Sequence, residues 1–287
     1  MTTDFKIPQI TMELYETEIS ELQKFIANEK AGEFTEEWLI LYNFATDCKY
    51  SGHIQPELIR YLLPFYLKAM EKAVFYDNHD AEQIYEEFNS AVFLNKKSFV
   101  NAVGEKSYQY IMMHYISQTI RKMEMQKQYL LEWVPLFNTT VVFEQDNIQK
   151  IFHKIFEGSL KVKLSFFQYL SVLLFKESDN LLAVNETRPF WTSDIWYFDN
   201  WDSSGEWLWS AAAVEFFDKE INSEKIKTLF KEVEPLIHNI LGLETTALLR
   251  DEMSRSFAAG IFDRRKAEYL KKISCPSERA LYWDTTF

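Results

Sequence analysis

The sequence predicts an all-α protein, a large irregular or solenoid-like (HEAT-like) stack of helices with at most one short extended segment. Three observations carry this. Apolar residues recur at helical spacing along most of the chain. Gly and Pro together fill only 14 of 287 positions, too few for the turns of a many-stranded fold. No long stretch alternates apolar and polar residues with the Val, Ile and Thr enrichment of strands.

Taken in order, helical spacing fits residues 17–29 and 35–49, and then 54–76, "IQPELIRYLLPFYLKAMEKAVFY". There Pro56 stands where a first helical turn tolerates it, and apolar side chains occupy nearly every face, so a central helix is expected. Pro64 inside it predicts a kink or a break, because proline lacks a backbone donor and clashes with the preceding turn. "DAEQ", Asp80 to Gln83, has the form of a cap opening a helix over 81–93. One helix is expected over 96–126. "NTTVVFE", Asn138 to Glu144, is the single candidate extended piece.

Helices follow over 146–157 and 160–176. The run "LSFFQYLSVLLF", Leu164 to Phe175, is too short to span a bilayer and reads as a buried helix. "SSGE", Ser203 to Glu206, matches a capping box and predicts a helix from there to about Glu220. Further helices are expected over 223–241 and 262–273. Pro64, Pro135 and Pro235 each interrupt an apolar helical context, as in stacked helical pairs, but at no fixed period. The chain therefore reads as a single all-helical domain, 1–287, with a soft subdivision into 1–178 and 190–287 at the polar stretch "KESDNLLAVNETRP", Lys176 to Pro189.

Charge narrows the function classes. There are 31 basic and 43 acidic residues, a net charge of −12. That balance argues against direct nucleic-acid binding, which needs clustered Lys and Arg, and favours a basic protein partner. Cys48 and Cys275 stand far apart and form no CxxC, so neither a zinc site nor a disulfide framework is implied. The amino terminus has no basic stretch followed by an apolar core, so no secretory signal is expected and the chain reads as cytoplasmic, without a membrane span.

Motifs for chemistry are sparse. No GxxxxGK[ST], GxGxxG, GxSxG or HExxH occurs. The five histidines, His53, His79, His114, His153 and His238, are scattered singly. His114 and His238 lie in apolar helical contexts and read as hydrogen-bonded core histidines. No catalytic residue, metal ligand or cofactor is assigned, and the balance leans away from an enzyme.

The densest feature is "PFWTSDIWYFDNWDSSGEWLWSAAAVEFFD", residues 189–218, with six acids and no Lys or Arg. Trp207 and Trp209 fall within the helix expected from Ser203, which is apolar nearly all round and whose alanine triplet, Ala211 to Ala213, allows close approach, so both read as core. Asp202 and Asp194 gain from the positive ends of the helices that follow them. That leaves "WYFDNW", Trp196 to Trp201, as an aromatic loop edged with carboxylates. Trp and Tyr dominate where binding energy concentrates, and acids steer basic partners. The expected partner-binding residues are Asp194, Trp196, Tyr197, Asp199, Trp201 and Asp202, in an immunity- or antitoxin-like module that binds a basic toxin or nuclease. The alternative is a helical enzyme or ligand-binding protein that uses carboxylates of segment 194–206 with a divalent metal or a lone His. The basic stretch Arg264 to Lys272 could meet the acidic loop within the chain or pair head to tail between chains as a homo-oligomer.

Overall fold

A computed structural model describes residues 56–76, 84, 88, 96–125, 133–134, 137, 140–141, 145–175 and 209–274. Among these described residues run eight helices and no strand, an all-α architecture consistent with a helical stack. None of the described helices is long and apolar enough to cross a membrane. The chain divides into two compact units, Met1–Gln118 and Thr119–Phe287.

In the first unit, α1 (Pro56–Tyr76) begins at Pro56, as its tolerance of the first turn predicts. It runs unbroken through Pro64, whose ring is exposed, so the expected break does not occur. Although apolar residues surround this helix, its buried stripe is Ile59, Leu62, Tyr66 and the adjacent pair Ala69 and Met70, recurring every three to four residues. Leu63 and Phe65 are only half-buried. Tyr66 stacks on Phe88 at 4.1 Å, and Phe88 meets Phe99 of α2 (Lys96–Val103) edge-on at 5.8 Å. Arg60 Nε donates to the Ala102 carbonyl, a second tie between α1 and α2.

The helix expected over 96–126 is divided. Gly104 adopts φ 81°, a left-handed conformation that L side chains rarely take, and separates α2 from α3 (Glu105–Met125). The apolar stripe continues on both sides, so spacing alone could not show the break.

The second unit is built around α5 (Leu160–Leu174). Every described side chain from Leu164 to Phe175 is buried, as expected of that apolar run. Its serine hydroxyls are satisfied by backbone carbonyls: Ser165 Oγ donates to Met123 O at 2.9 Å and Ser171 Oγ to Phe167 O at 2.7 Å. Amphipathic α4 (Gln145–Phe156) buries Ile148, Ile151, Phe152 and Ile155 and leaves His153 and Lys154 in solvent. Thr140 and Val141, within the expected extended piece, are helical and fully buried; burial of the β-branched pair outweighs its strand preference.

After α6 (Ala211–Glu220), Asn222 caps α7 (Ser223–Ala258) by accepting from Lys225 N at 3.0 Å. The helix expected to end near 241 does so in effect, because Gly242 takes φ 86° and ψ 170°. A second arm then resumes. Arg250 Nε donates to Glu234 Oε1 at 3.1 Å, and Lys227 Nζ lies 5.4 Å from the centroid of the Phe257 ring. Both pairs are symmetric about residue 242, so α7 is a helical hairpin folded at Gly242. The last described helix is α8 (Ile261–Ser274), close to the expected 262–273.

Candidate functional site

The segment 189–218 enters the described structure at Trp209. This side chain is 4% exposed and packs edge-on against Phe137 at 5.8 Å, Phe217 at 5.4 Å and Tyr269 at 6.1 Å. It is core, as expected. Among the described residues, neither its indole N–H nor that of Trp133 meets a hydrogen-bond acceptor, so both rings serve as apolar volume. Trp207 lies outside the described residues.

Within the helix expected from Ser203 to about Glu220, the described residues Trp209 and Ser210 are not helical and α6 starts at Ala211. The Trp209 backbone N–H, which an uninterrupted helix would commit to the residue four earlier, donates instead to Ile273 O at 3.0 Å. Ser210 then caps α6, its hydroxyl accepting from Ala213 N at 3.2 Å. Of the alanine triplet only Ala213 is fully buried, and Ala211 faces solvent. The final acid of the stretch is engaged within the fold: Asp218 Oδ1 lies 2.7 Å from Lys266 Nζ of α8. Glu220, two residues on, pairs with Lys225 at 2.6 Å. Among the described residues, the basic stretch of α8 thus reaches α6 through Lys266. Glu215 remains exposed.

Asp194, Trp196, Tyr197, Asp199, Trp201 and Asp202 lie outside the described residues, as do Ser203 and Glu206 and the soft boundary from Lys176 to Pro189. What the described structure adds is the frame on either side of them. Residues 176–208 carry seven acids, Glu177, Asp179, Glu186, Asp194, Asp199, Asp202 and Glu206, against two bases, Lys176 and Arg188. The flanking described residues 145–175 and 209–274 carry 13 acids and 15 bases. The helical frame is thus near neutral, at +2, while the 33 residues joining its two parts carry −5.

Both ends of that segment are anchored. Phe175 is 3% exposed and packs on Phe167 at 6.3 Å and Phe257 at 5.8 Å. The carbonyls just before it accept from Arg265 Nε, at Leu173 and 3.1 Å, and from Ser256 Oγ, at Leu174 and 3.3 Å. At the other end stands Trp209. Between the two, the Tyr169 and Tyr269 hydroxyls of α5 and α8 meet at 2.6 Å in the interior. Burial pushes both phenols above their ordinary value of 10.0. Sequence reading missed this pair, because the two residues lie 100 positions apart and neither belongs to a motif.

Among the described residues, no three of His, Cys, Asp and Glu come together as a metal site would require. His114 is largely buried, with Nε2 3.9 Å from Glu71 Oε1, in keeping with a core histidine. His238 is not: it is exposed on α7, one residue past the buried Ile237. His153 is exposed beside Glu157 at 3.0 Å, one turn along α4. Comparison of the chain with protein-family models, with curated proteins and with solved structures finds no match.

Proposed function

We propose that the protein is a helical interaction module that binds a basic protein partner through the acidic aromatic segment containing Asp194, Trp196, Tyr197, Asp199, Trp201 and Asp202. The observation that carries this reading is the segregation of charge. A near-neutral helical frame brackets a segment of net −5 that also holds Trp191, Trp196, Trp201 and Trp207. Carboxylates accelerate encounter with a basic surface, and aromatic side chains supply the contact area that slows dissociation. A partner that normally holds phosphate, such as a nuclease, offers the matching cationic site, and an acidic module occupying it acts as an inhibitor.

The two roles separate kinetically. Trp201→Ala is expected to speed dissociation of the captured partner, with a cost of about 2 kcal/mol or more, the size of an interfacial aromatic anchor. Asp199→Asn with Asp202→Asn is expected to slow association and flatten its salt dependence. Surface-immobilised binding kinetics at two salt concentrations read both. Unchanged rates in both variants end the proposal.

A further inference from the structure

Three large apolar side chains of the second unit lie exposed around the tip of the α7 hairpin: Leu160, Ile240 and Leu243, at 48%, 47% and 68%. The register of two helices places them. α5 and the first arm of α7 run antiparallel, with Phe167 against Phe230 at 5.3 Å and Lys163 Nζ 2.5 Å from Glu232 Oε2. Leu160 stands one turn before Lys163 and the half-buried Leu236 one turn past Glu232, so both reach the same level, at the start of α5. Ile240 stands one turn further on, and Leu243 follows the turn residue Gly242 at the tip. The apolar row Leu160, Leu236, Ile240, Leu243 thus extends about 10 Å past the end of α5, at 1.5 Å per residue. No Asp, Glu, Lys or Arg falls within residues 235–243.

The two ends of the row carry opposite charge. Lys161 adjoins Leu160 and Glu244 adjoins Leu243; both are exposed, and among the described residues neither makes an ion pair. Beside the row, charges are matched within the chain, Lys163 with Glu232 and Arg250 with Glu234. A partner surface of a single sign would suit only one end. An apolar row with a cation at one end and a carboxylate at the other is complementary to itself under a two-fold rotation. We propose that this face pairs with the same face of a second copy of the chain, so that Leu243 and Glu244 of one copy meet Leu160 and Lys161 of the other. Ile240, midway along the row, lies nearest the two-fold axis. The aliphatic side chains form the centre of the interface, and two Lys161–Glu244 pairs close its edges. The acidic segment takes no part, so the pairing stands independently of binding to a basic partner.

Sedimentation equilibrium of the full-length chain over a range of concentrations tests this. Wild type should behave as a monomer–dimer system. Leu243→Glu, at a position exposed in the monomer, should weaken the dimer about 100-fold or more, because it buries two unpaired carboxylates. Lys161→Glu and Glu244→Lys should each weaken it about tenfold, since like charges then face each other twice. An equimolar mixture of these two single variants should recover the dimer, because each contact again joins a lysine to a glutamate. A wild type that stays monomeric at every concentration, a dimer that survives Leu243→Glu, or charge variants that fail to recover on mixing each overturn the proposal. So does capture of the monomer by phosphatidylcholine vesicles that Leu243→Glu abolishes, which would assign the tip to a lipid surface.

Discussion

Trp209 shows how one residue resolves a dense stretch of sequence. Its ring closes the aromatic cluster of Phe137, Phe217 and Tyr269, and its N–H fixes where α6 can start. Trp209→Ala is expected to destabilise the second unit by about 3–5 kcal/mol, the range for removing a large buried aromatic, as measured by urea denaturation. The Tyr169–Tyr269 pair makes a separate prediction. Both pKa values are raised by burial, so the folded state holds both protons more tightly than the unfolded chain, whose phenols titrate near 10.0. The stabilisation is therefore complete below pH 10 and is lost as pH rises above it. The melting temperature should fall steeply above pH 10, with tyrosinate absorbance from this pair appearing together with unfolding. Tyr269→Phe, which removes the hydroxyl pair at a cost of about 1 kcal/mol, should make that fall shallower. The burial of Trp209 was legible because aromatic residues at helical spacing usually seek the core. The exposure of His238 was not, since an apolar neighbourhood in sequence does not fix which face of a helix a residue occupies.

At the scale of elements, periodicity located helices well and their ends poorly. The helices α1, α4, α5 and α8 could be read directly from apolar spacing, and the end at Gly242 was expected near 241, whereas the break at Gly104 depends on a backbone angle that spacing does not encode. The sequence motif put a cap at Ser203, which lies outside the described residues, whereas Ser210 caps α6 next to Trp209, whose N–H donates to Ile273 O 64 positions away in sequence. Ser210→Ala should cost about 1 kcal/mol as a lost cap. Gly242→Ala should destabilise the hairpin by about 1 kcal/mol or more through the left-handed φ, even though no atom would meet the new methyl within 4 Å. A Gly242→Asn variant, which tolerates that region better, should recover part of the loss; thermal melts of the three proteins rank them.

At the scale of the whole molecule, the charge pattern was visible in the sequence, while the frame that gives it meaning was not. Counting acids by block locates the excess, but only the helices show that α5 and α6 bracket one strongly negative segment and that α8 ties both ends. Those ties join residues far apart in the chain, Arg265 to Leu173 across 92 positions among them, beyond the reach of any local pattern. The proposed function is binding of a basic partner steered by these carboxylates and held by the tryptophans, with a divalent metal on the same acids as the competing reading. Melting the protein with and without common divalent ions distinguishes these: the interaction reading expects no shift, while a bound ion at a hundredfold excess over its dissociation constant would add about 2.7 kcal/mol. The most direct measurement is capture from a lysate of the source cells with wild type and a Trp201→Ala, Asp199→Asn double variant as baits, washed at low and high salt. The account predicts a basic protein held by wild type, weakened by salt and lost with the variant; identical captures with both baits would contradict it.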